Sequence, residues 1–434
     1  MLINDAIHGV MTFDDGLMAH LRPIIDQPIF QRLRHIKQVG LVDLVFPSAT
    51  HTRFNHSLGC AYLASRFAKA LDLKKETQHL AVISALIHDI GHGPFSHAFE
   101  RLLCNRNEQV RHEDWSYEFL ADFDLPDTHP LKMHQETVKK FIKGEYSYSK
   151  GSDANLVADI VSSQLDADRL DYLLRDSHFC GVSFGEIDAH WILKKLVRIE
   201  GVENSPRLGI EFKGVNSVEH YLLARRLMTR GVYNHSLVLL YETLVIIFLE
   251  KIVDHLEIIE KLPQSILKDF LGDCHGFRKN ILSKNDFIYR AYPNYRKLAD
   301  YDVWSLIREI ASDATGKWPR DLIDIALLLY TRRKMYKIVR LNQRHQDVDD
   351  KTARKVMKKY GLSNWQLIVL KGSVATYQGE KSPLYIKEQG REVSDLTKHS
   401  HIMHYLGGQE EQYRYLAIHN NLNTSEILQE FGLE

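Results

Sequence analysis

The stretch from His51 to His97 constrains this chain more than any other, because it ends an apolar run on an ionisable pair. It reads HTRFNHSLG, then a helical interval, then IHDIGHGPFSH. The run LAVISALI, from Leu80 to Ile87, delivers His88 and Asp89 to a place that has lost much of its water. Leaving a charge without a partner there is expensive. A bound cation is the simplest partner, since neutral imidazole and carboxylate together suit a borderline divalent metal. Adjacent helical residues point about 100° apart, so both side chains can converge on an ion between them. His92 follows His88 by four residues and shares its face if the helix continues. With Arg53 and His56 upstream, the residues by themselves predict a metal site.

The 434 residues are 44% apolar and 26% charged, the composition of an ordinary globular chain. Length suggests two or three domains as a prior. A formal net charge of zero removes any bulk electrostatic argument for nucleic acid or an anionic membrane. Cys60, Cys104, Cys180 and Cys274 lie far apart without CxxC spacing, which excludes zinc-finger and disulfide-framework patterns. Such isolated cysteines fit a reducing compartment. The opening MLINDAIHG lacks the basic start and apolar region of a signal peptide. The most apolar helix candidate, SLVLLYETLVIIFLEKIV, is interrupted by Glu242 and Glu250 and falls short of a membrane span. A soluble, cytoplasmic protein is expected.

Patterning predicts a mainly α chain. Residues 1–20 read as a short hairpin or turn, and IFQRLRHIKQVG as a short basic helix ended by Gly40. Apolar spacing predicts helices over 57–71 and 75–90. Pro94 is placed to start a helix through FSHAFERLL, and further helices are expected near 113–122, 131–142 and 154–176. Residues 196–213 read as a hairpin. Long helices are expected over 216–260 and 320–341, a β-rich stretch from about 365 to 419, and a last helix at 424–431. This gives a helical core over 1–345, with its motif region at about 50–180, and a small peripheral α+β lobe over 346–434.

Residues 164–176, QLDADRLDYLLRD, have clear helical geometry. Leu170, Leu173 and Leu174 make one apolar face, while Asp168, Tyr172 and Asp176 make the opposite stripe, flanked by Asp171 and Arg175. The plain reading is a solvated face laced with salt bridges. Beside an HD pair, Asp168 becomes a candidate further metal ligand.

HTRFNHSLG, HDIGHGPFSH and DADRLDYLLRD, in this order, resemble the HD-domain phosphohydrolases, and more narrowly the deoxynucleoside triphosphate triphosphohydrolases. INDAIHG and DQPIFQRLRHIKQVG resemble the same family, and the match covers roughly residues 3–240. The resemblance implies an HD-domain helical core. It implies metal ligands at His56, His88, Asp89 and Asp168, holding manganese, iron, nickel or zinc, with magnesium accompanying the nucleotide. His56 rather than His51 is the upstream ligand in this alignment. Arg53 matches an arginine on the substrate phosphates, and Arg225 one on the triphosphate. His92, His97 and His112 match catalytic-pocket histidines, with Glu100 as a supporting carboxylate. Gln38, Tyr172, Asp176 and Tyr233 match positions that hold the sugar and its 3′-hydroxyl. Asp26, Gln31 and Arg34 match part of a regulatory nucleotide site between subunits, which implies a dimer or tetramer. Two departures weigh against carrying over the guanine-nucleotide activation of the human family member. The lysine before the family's INDPIHG segment has no counterpart, and His235-Ser236 stands where the family has His-Lys. No SAM domain is expected ahead of the HD region.

The implied activity is metal-dependent hydrolysis of a deoxynucleoside triphosphate to deoxynucleoside and inorganic triphosphate, with His97 as candidate general acid. One alternative is an HD phosphodiesterase or nucleotidase acting on monophosphates or short oligonucleotides. The other is a non-catalytic nucleotide or single-stranded nucleic acid binding protein using the basic run at 331–359, less favoured because the ligand set is complete. The part TRRKMYKIVRLNQR (331–344) reads first as a solvated helix face.

Overall fold

The computed structural model describes residues 2–147, 150–202, 205–332, 335–342, 348–379 and 382–433. Its core is a stack of helices. The helix Arg53–Ala70 packs against Lys75–Ile87 and Ala167–Cys180, and Ala154–Val161 closes the bundle. All four bury most of their side chains, so they form the inside of the protein rather than its shell. Among the described residues, no helix is long and apolar enough to cross a membrane.

The chain is mainly α, with an α+β C-terminal region, as patterning predicted. Several boundaries moved for identifiable reasons. The first residues form a hairpin of β1 (Leu2–Asp5) and β2 (Gly9–Thr12), but a helix already occupies Asp15–Ile25, with Asp14 capping Leu17 N–H at 2.9 Å. The basic segment splits into a turn of α-helix, Pro28–Gln31, and a 3-10 turn, Arg32–His35. The helix expected at 57–71 starts earlier, at Arg53, because the Asn55 carbonyl oxygen takes Thr52 N–H at 3.3 Å and its hydroxyl at 2.8 Å. The helix expected through residue 90 ends at Ile87, so His92 does not share a continuous helix with His88. Pro94 starts no helix: Phe95 and Ser96 both have positive φ (54° and 55°), and only His97–Glu100 is helical.

The single helix expected over 154–176 is broken at 162–166. Asp166 makes the break. Its carboxylate accepts Ser163 N–H at 2.8 Å and Arg169 N–H at 2.7 Å, an N-cap that starts a new helix at Ala167. The helices expected at 131–142 and 216–260 are likewise divided, the second by a π-helical turn at Thr229–Tyr233. Such turns recur at functional sites.

The helix expected over 320–341 stops at Thr331, where Arg332 adopts the left-handed conformation (φ 49°). Residues 336–341 are then a strand, so the basic run is not a helix face; its residues 333–334 and 343–344 lie outside the described residues. The reason is local: Tyr336, Ile338 and Val339 favour a pleated surface over a helix.

Two sheets attach the C-terminal part. β3 (Leu196–Val202) and β4 (Ser205–Glu211) form the expected hairpin. β5 (Tyr336–Leu341), β6 (Leu367–Ala375), β7 (Tyr385–Lys387), β8 (Ser394–Asp395) and β9 (Glu410–His419) follow. Strand order is β3-β4-β7-β8 in one sheet and β5-β9-β6 in the other, with β7 running parallel to β4. Alternation in the second sheet is strict. Ile368, Leu370 and Ala417 face the main core. Leu367, Leu416 and Ile418 face a second core under the helices Asp350–Tyr360 and Thr424–Glu430.

A buried pair ties the bundle to the hairpin: Asp159 accepts Arg207 Nε and Nη2, each at 3.0 Å, and Leu208 N–H at 2.9 Å. Removing the carboxylate takes this anion away from a guanidinium held in the interior. Asp159→Ala is expected to lose about 3–5 kcal/mol of stability, measured by urea denaturation; a loss below about 1 kcal/mol would show that the pair is dispensable.

Candidate active site

The metal-type centre forms where three helix ends meet. At the end of Lys75–Ile87 the His88 Nδ1–H donates to Ala85 O at 2.8 Å, satisfying a terminal carbonyl of the helix. That bond turns Nε2 toward the cavity, where it is buried and has no hydrogen-bond partner among the described residues. His56, one turn into the Arg53–Ala70 helix and fully buried, donates Nδ1–H to Asp171 at 2.8 Å. Its Nε2 is left facing Asp168 Oδ1 at 3.0 Å and Asp89 Oδ2 at 3.6 Å. His88 Nε2 lies 3.5 Å from Asp168 Oδ1 and 3.4 Å from Asp89 Oδ1. Asp168 reaches this point from the first turn of the helix that Asp166 caps.

Two imidazole lone pairs and two carboxylates thus converge without enough hydrogens to satisfy one another. The orphaned His88 Nε2 is the observation that fits a cation, and mixed His/carboxylate donors suit a divalent transition ion. Cys60 Sγ also approaches the His56 ring, 3.4 Å from Nε2, a neighbour the sequence reading left out. Burial raises the Asp168 carboxyl, but the His56 and His88 rings beside it outweigh burial and hold the group well below the usual carboxylate range.

Arg53 stands at the same rim. Its guanidinium pairs with Asp89, and its Nε donates to Ser96 Oγ at 2.9 Å. The positive φ at Ser96 therefore has a use: the turn aims the hydroxyl at Arg53 while Ser96 also donates to Lys37 O at 3.1 Å. Gln38 is adjacent, its carbonyl 3.4 Å from Arg53 Nη2 and its buried Oε1 without a partner among the described residues.

A second cluster holds His92, His97, Glu100 and His112. Glu100 Oε1 takes His112 Nδ1–H at 2.8 Å and lies 3.4 Å from His92 Nδ1 and from His97 Nδ1. His92 and His112 stack at 3.8 Å between ring centroids. Burial, with the charges of Arg53 and His112, keeps His92 neutral and well below its ordinary value. For His112, burial is overcome by the Glu100 carboxylate, which raises it. His97 is the open member, its side chain 73% exposed. The cluster depends on Gly91, where a Cβ would collide with His112 O and with Ser116 of the His112–Phe119 helix.

On the far side Asp176 accepts His51 Nε2–H at 2.7 Å and Tyr233 O–H at 2.6 Å, and Tyr172 packs edge-on to Tyr233. His51 therefore holds Asp176 rather than facing the metal-type centre. Arg225 is tied to Gln164 Oε1 at 2.9 Å and Thr376 O at 2.8 Å. Arg34 Nε donates to Gln31 Oε1 at 2.7 Å and its guanidinium covers the Phe54 ring, whereas Asp26 pairs with Arg22 on the surface.

The sequence reading placed Asp171 and Arg175 on a solvated flank. Both are fully buried, a correction with a visible cause: Asp171 accepts His56, His8 and Arg175 at once. The signal was Gly59 in HTRFNHSLG, where a Cβ would overlap the Asp171 carboxylate and the Arg175 guanidinium.

Residues 53–176 match the HD domain family model. The chain is 37% identical over 244 residues to an uncharacterized protein of Methanocaldococcus jannaschii, covering 56% of this chain and 48% of that protein. It is 32% identical over 333 residues to the human deoxynucleoside triphosphate triphosphohydrolase SAMHD1, covering 69% of this chain and 52% of that protein. It spans about half the length of the curated relatives it matches. A crystal structure of a phosphohydrolase from Bacteroides thetaiotaomicron superposes with a TM-score of 0.75 at 27% identity, over 96% of this chain and 99% of that one. The chain thus carries an HD domain at residues 53–176 and is similar to HD-domain phosphohydrolases. Deoxynucleoside triphosphate triphosphohydrolases are among the proteins it is similar to.

Two outcomes check the site. Asp168→Ala is expected to empty the metal position, read by elemental analysis of the purified protein; full metal content would refute the assignment. The second concerns Glu242, on the helix Ser236–Val253 that packs against His97–Glu100. Burial pushes Glu242 up to about 7, against lowering by Arg101 and His97. A raised carboxyl favours the fold only while it stays protonated, so this contribution fades as pH rises from about 4.5 through 7. Glu242→Gln should therefore gain about 2 kcal/mol in stability at pH 8 relative to pH 5; equal denaturation midpoint shifts at both pH values would overturn this.

Proposed function

We propose that this protein is a metal-dependent triphosphohydrolase of deoxynucleoside triphosphates. The observation that carries the reading is the convergence of His56, His88, Asp89 and Asp168, with His88 Nε2 lacking a hydrogen-bond partner among the described residues, beside Arg53 and across from the Asp176–Tyr233 pair. A divalent ion held by those four residues would neutralise phosphate charge and lower the pKa of a coordinated water to about 7. The choice among manganese, iron, nickel and zinc is left open by such a donor set, and magnesium would accompany the nucleotide.

The protein's own residues supply the rest. Arg53 can fork two oxygens of the α-phosphate and holds the phosphorus in place for attack by water. Tyr233 and His51 fix Asp176 so that its carboxylate can accept the sugar 3′-hydroxyl, while Tyr172 and Gln38 limit the space around the ribose. His97, exposed and backed by Glu100, donates the proton that the leaving 5′-oxygen needs. The products are the deoxynucleoside and inorganic triphosphate. His92 stays neutral and orients phosphate, and His112 carries charge against Glu100.

One observation favours a second reading, hydrolysis of a monophosphate or short oligonucleotide. Arg225, the candidate contact for the outer phosphates, already bonds Gln164 and Thr376. Ion-exchange chromatography of a reaction with metal-loaded protein separates the two. Intact triphosphate released from a dNTP is the expected product. Release of diphosphate or monophosphate, or activity confined to nucleotides lacking the β- and γ-phosphates, would sink the proposal. Tyr233→Phe is expected to lower kcat/KM for dNTPs about 10-fold, since one fixing bond to Asp176 is worth about 1.4 kcal/mol when the acceptor is charged; an unchanged value would remove Asp176 from sugar recognition.

A further inference from the structure

The geometry points to His8, on the turn of the N-terminal hairpin, as a positioning residue for the metal-type centre, acting through Asp171 on His56. The inference rests on His56 being a metal ligand and not on which nucleotide is cleaved. Asp5 first builds the turn: its Oδ1 accepts the N–H groups of Ile7 at 2.9 Å and His8 at 3.0 Å. The same carboxylate takes Arg175 Nη1 at 2.9 Å and Nη2 at 3.2 Å, which docks the turn on the Ala167–Cys180 helix. So placed, the His8 side chain is only 7% exposed, and its Nε2 donates to Asp171 Oδ1 at 2.6 Å.

Asp171 is wholly buried and accepts four N–H groups. They come from His8, from His56 Nδ1 at 2.8 Å, and from Arg175 Nε and Nη2, each at 2.9 Å. A carboxylate offers about four lone-pair sites, so this one is saturated and its plane is fixed. That plane keeps the hydrogen of His56 on Nδ1 and its lone pair on Nε2, toward Asp168. Arg175 grips both oxygens from its own helix, Nε on Oδ2 and Nη2 on Oδ1, while His56 takes Oδ2 and leaves one lone pair of Oδ1 to be filled. His8 closes the remaining side. The hairpin thereby sets the tautomer and aim of a ligand 48 residues downstream. Carboxylate partners of ligating histidines change metal affinity about 10- to 100-fold when disturbed.

The test uses the full chain, stripped of metal and titrated with zinc or cobalt ions alone against a competing chelator. The temperature is one at which circular dichroism shows each metal-free form folded. His8→Ala is expected to weaken metal binding about 10-fold or more. His8→Gln, whose amide nitrogen reaches the position of Nε2, is expected to restore it to within about threefold. The cobalt form of His8→Ala should also show shifted visible bands, because the ligand field at His56 changes, whereas a merely structural role for His8 would leave the bands in place. His56→Ala is the control on the underlying assignment: undiminished metal binding in that variant would overturn the metal reading itself. With His56→Ala impaired, wild-type affinity and spectrum in His8→Ala would overturn the role of His8 alone. Failure of Gln to restore binding would overturn the hydrogen bond as its cause.

Discussion

The two imidazoles of the metal-type centre each give the Nδ1 hydrogen to a fixed oxygen, Ala85 O for His88 and Asp171 for His56. A ring that donates at one nitrogen keeps its lone pair at the other, so two lone pairs are aimed before any ligand arrives. The rest of the architecture follows from meeting that condition in a dry interior. The helix must end at Ile87 so that a carbonyl is available to His88. A fresh helix must begin at Ala167 so that Asp168 and Asp171 leave its first turns on the inner face. The Asp166 cap is therefore as much a part of the centre as the side chains that line it.

The pocket keeps opposite protonation states close together. His92 and His112 stack ring on ring, yet burial beside Arg53 holds one neutral while Glu100 favours charge on the other. Pairs of like groups driven apart by their surroundings are how one site supplies both proton acceptors and proton donors at one pH. The positive-φ turn at Phe95–Ser96 stores strain next to this cluster, and what it secures is a hydroxyl on Arg53. Strain of this kind persists only where neighbours over-determine it. Here Asp300 does so, accepting Phe95 N–H at 2.9 Å and Lys37 N–H at 3.0 Å.

Much of this was legible in the chain because the chemistry is written in short, dense motifs. The run into His88–Asp89 announces a buried ionisable pair, and the ordered set of motifs brings Asp168 to it from a distant segment. The α class and the β3–β4 hairpin follow from periodicity. What escaped was decided by single side chains acting on backbone. Asp166 divides a helix that apolar spacing alone runs together, and Arg332 ends another that spacing extends. Asp171 and Arg175 read as polar and so as solvated. Only the partners supplied by His8 and Asp5, more than 160 residues earlier, make their burial affordable. Spacing within a helix carries no trace of such a partner.

β7 lies parallel to β4, joining Tyr385–Lys387 to Gly209–Glu211, while β6 shows alternate side chains to two cores. The C-terminal segment is thus woven into the helical body rather than tethered beside it. Cut at residue 345, the chain would keep β5 without β9 and would bare the edge of β4, an unpaired row of N–H and C=O groups that recruits other strands. Change of length in this region is therefore easiest at the connections between strands, where neither β7 nor β9 is lost from its sheet.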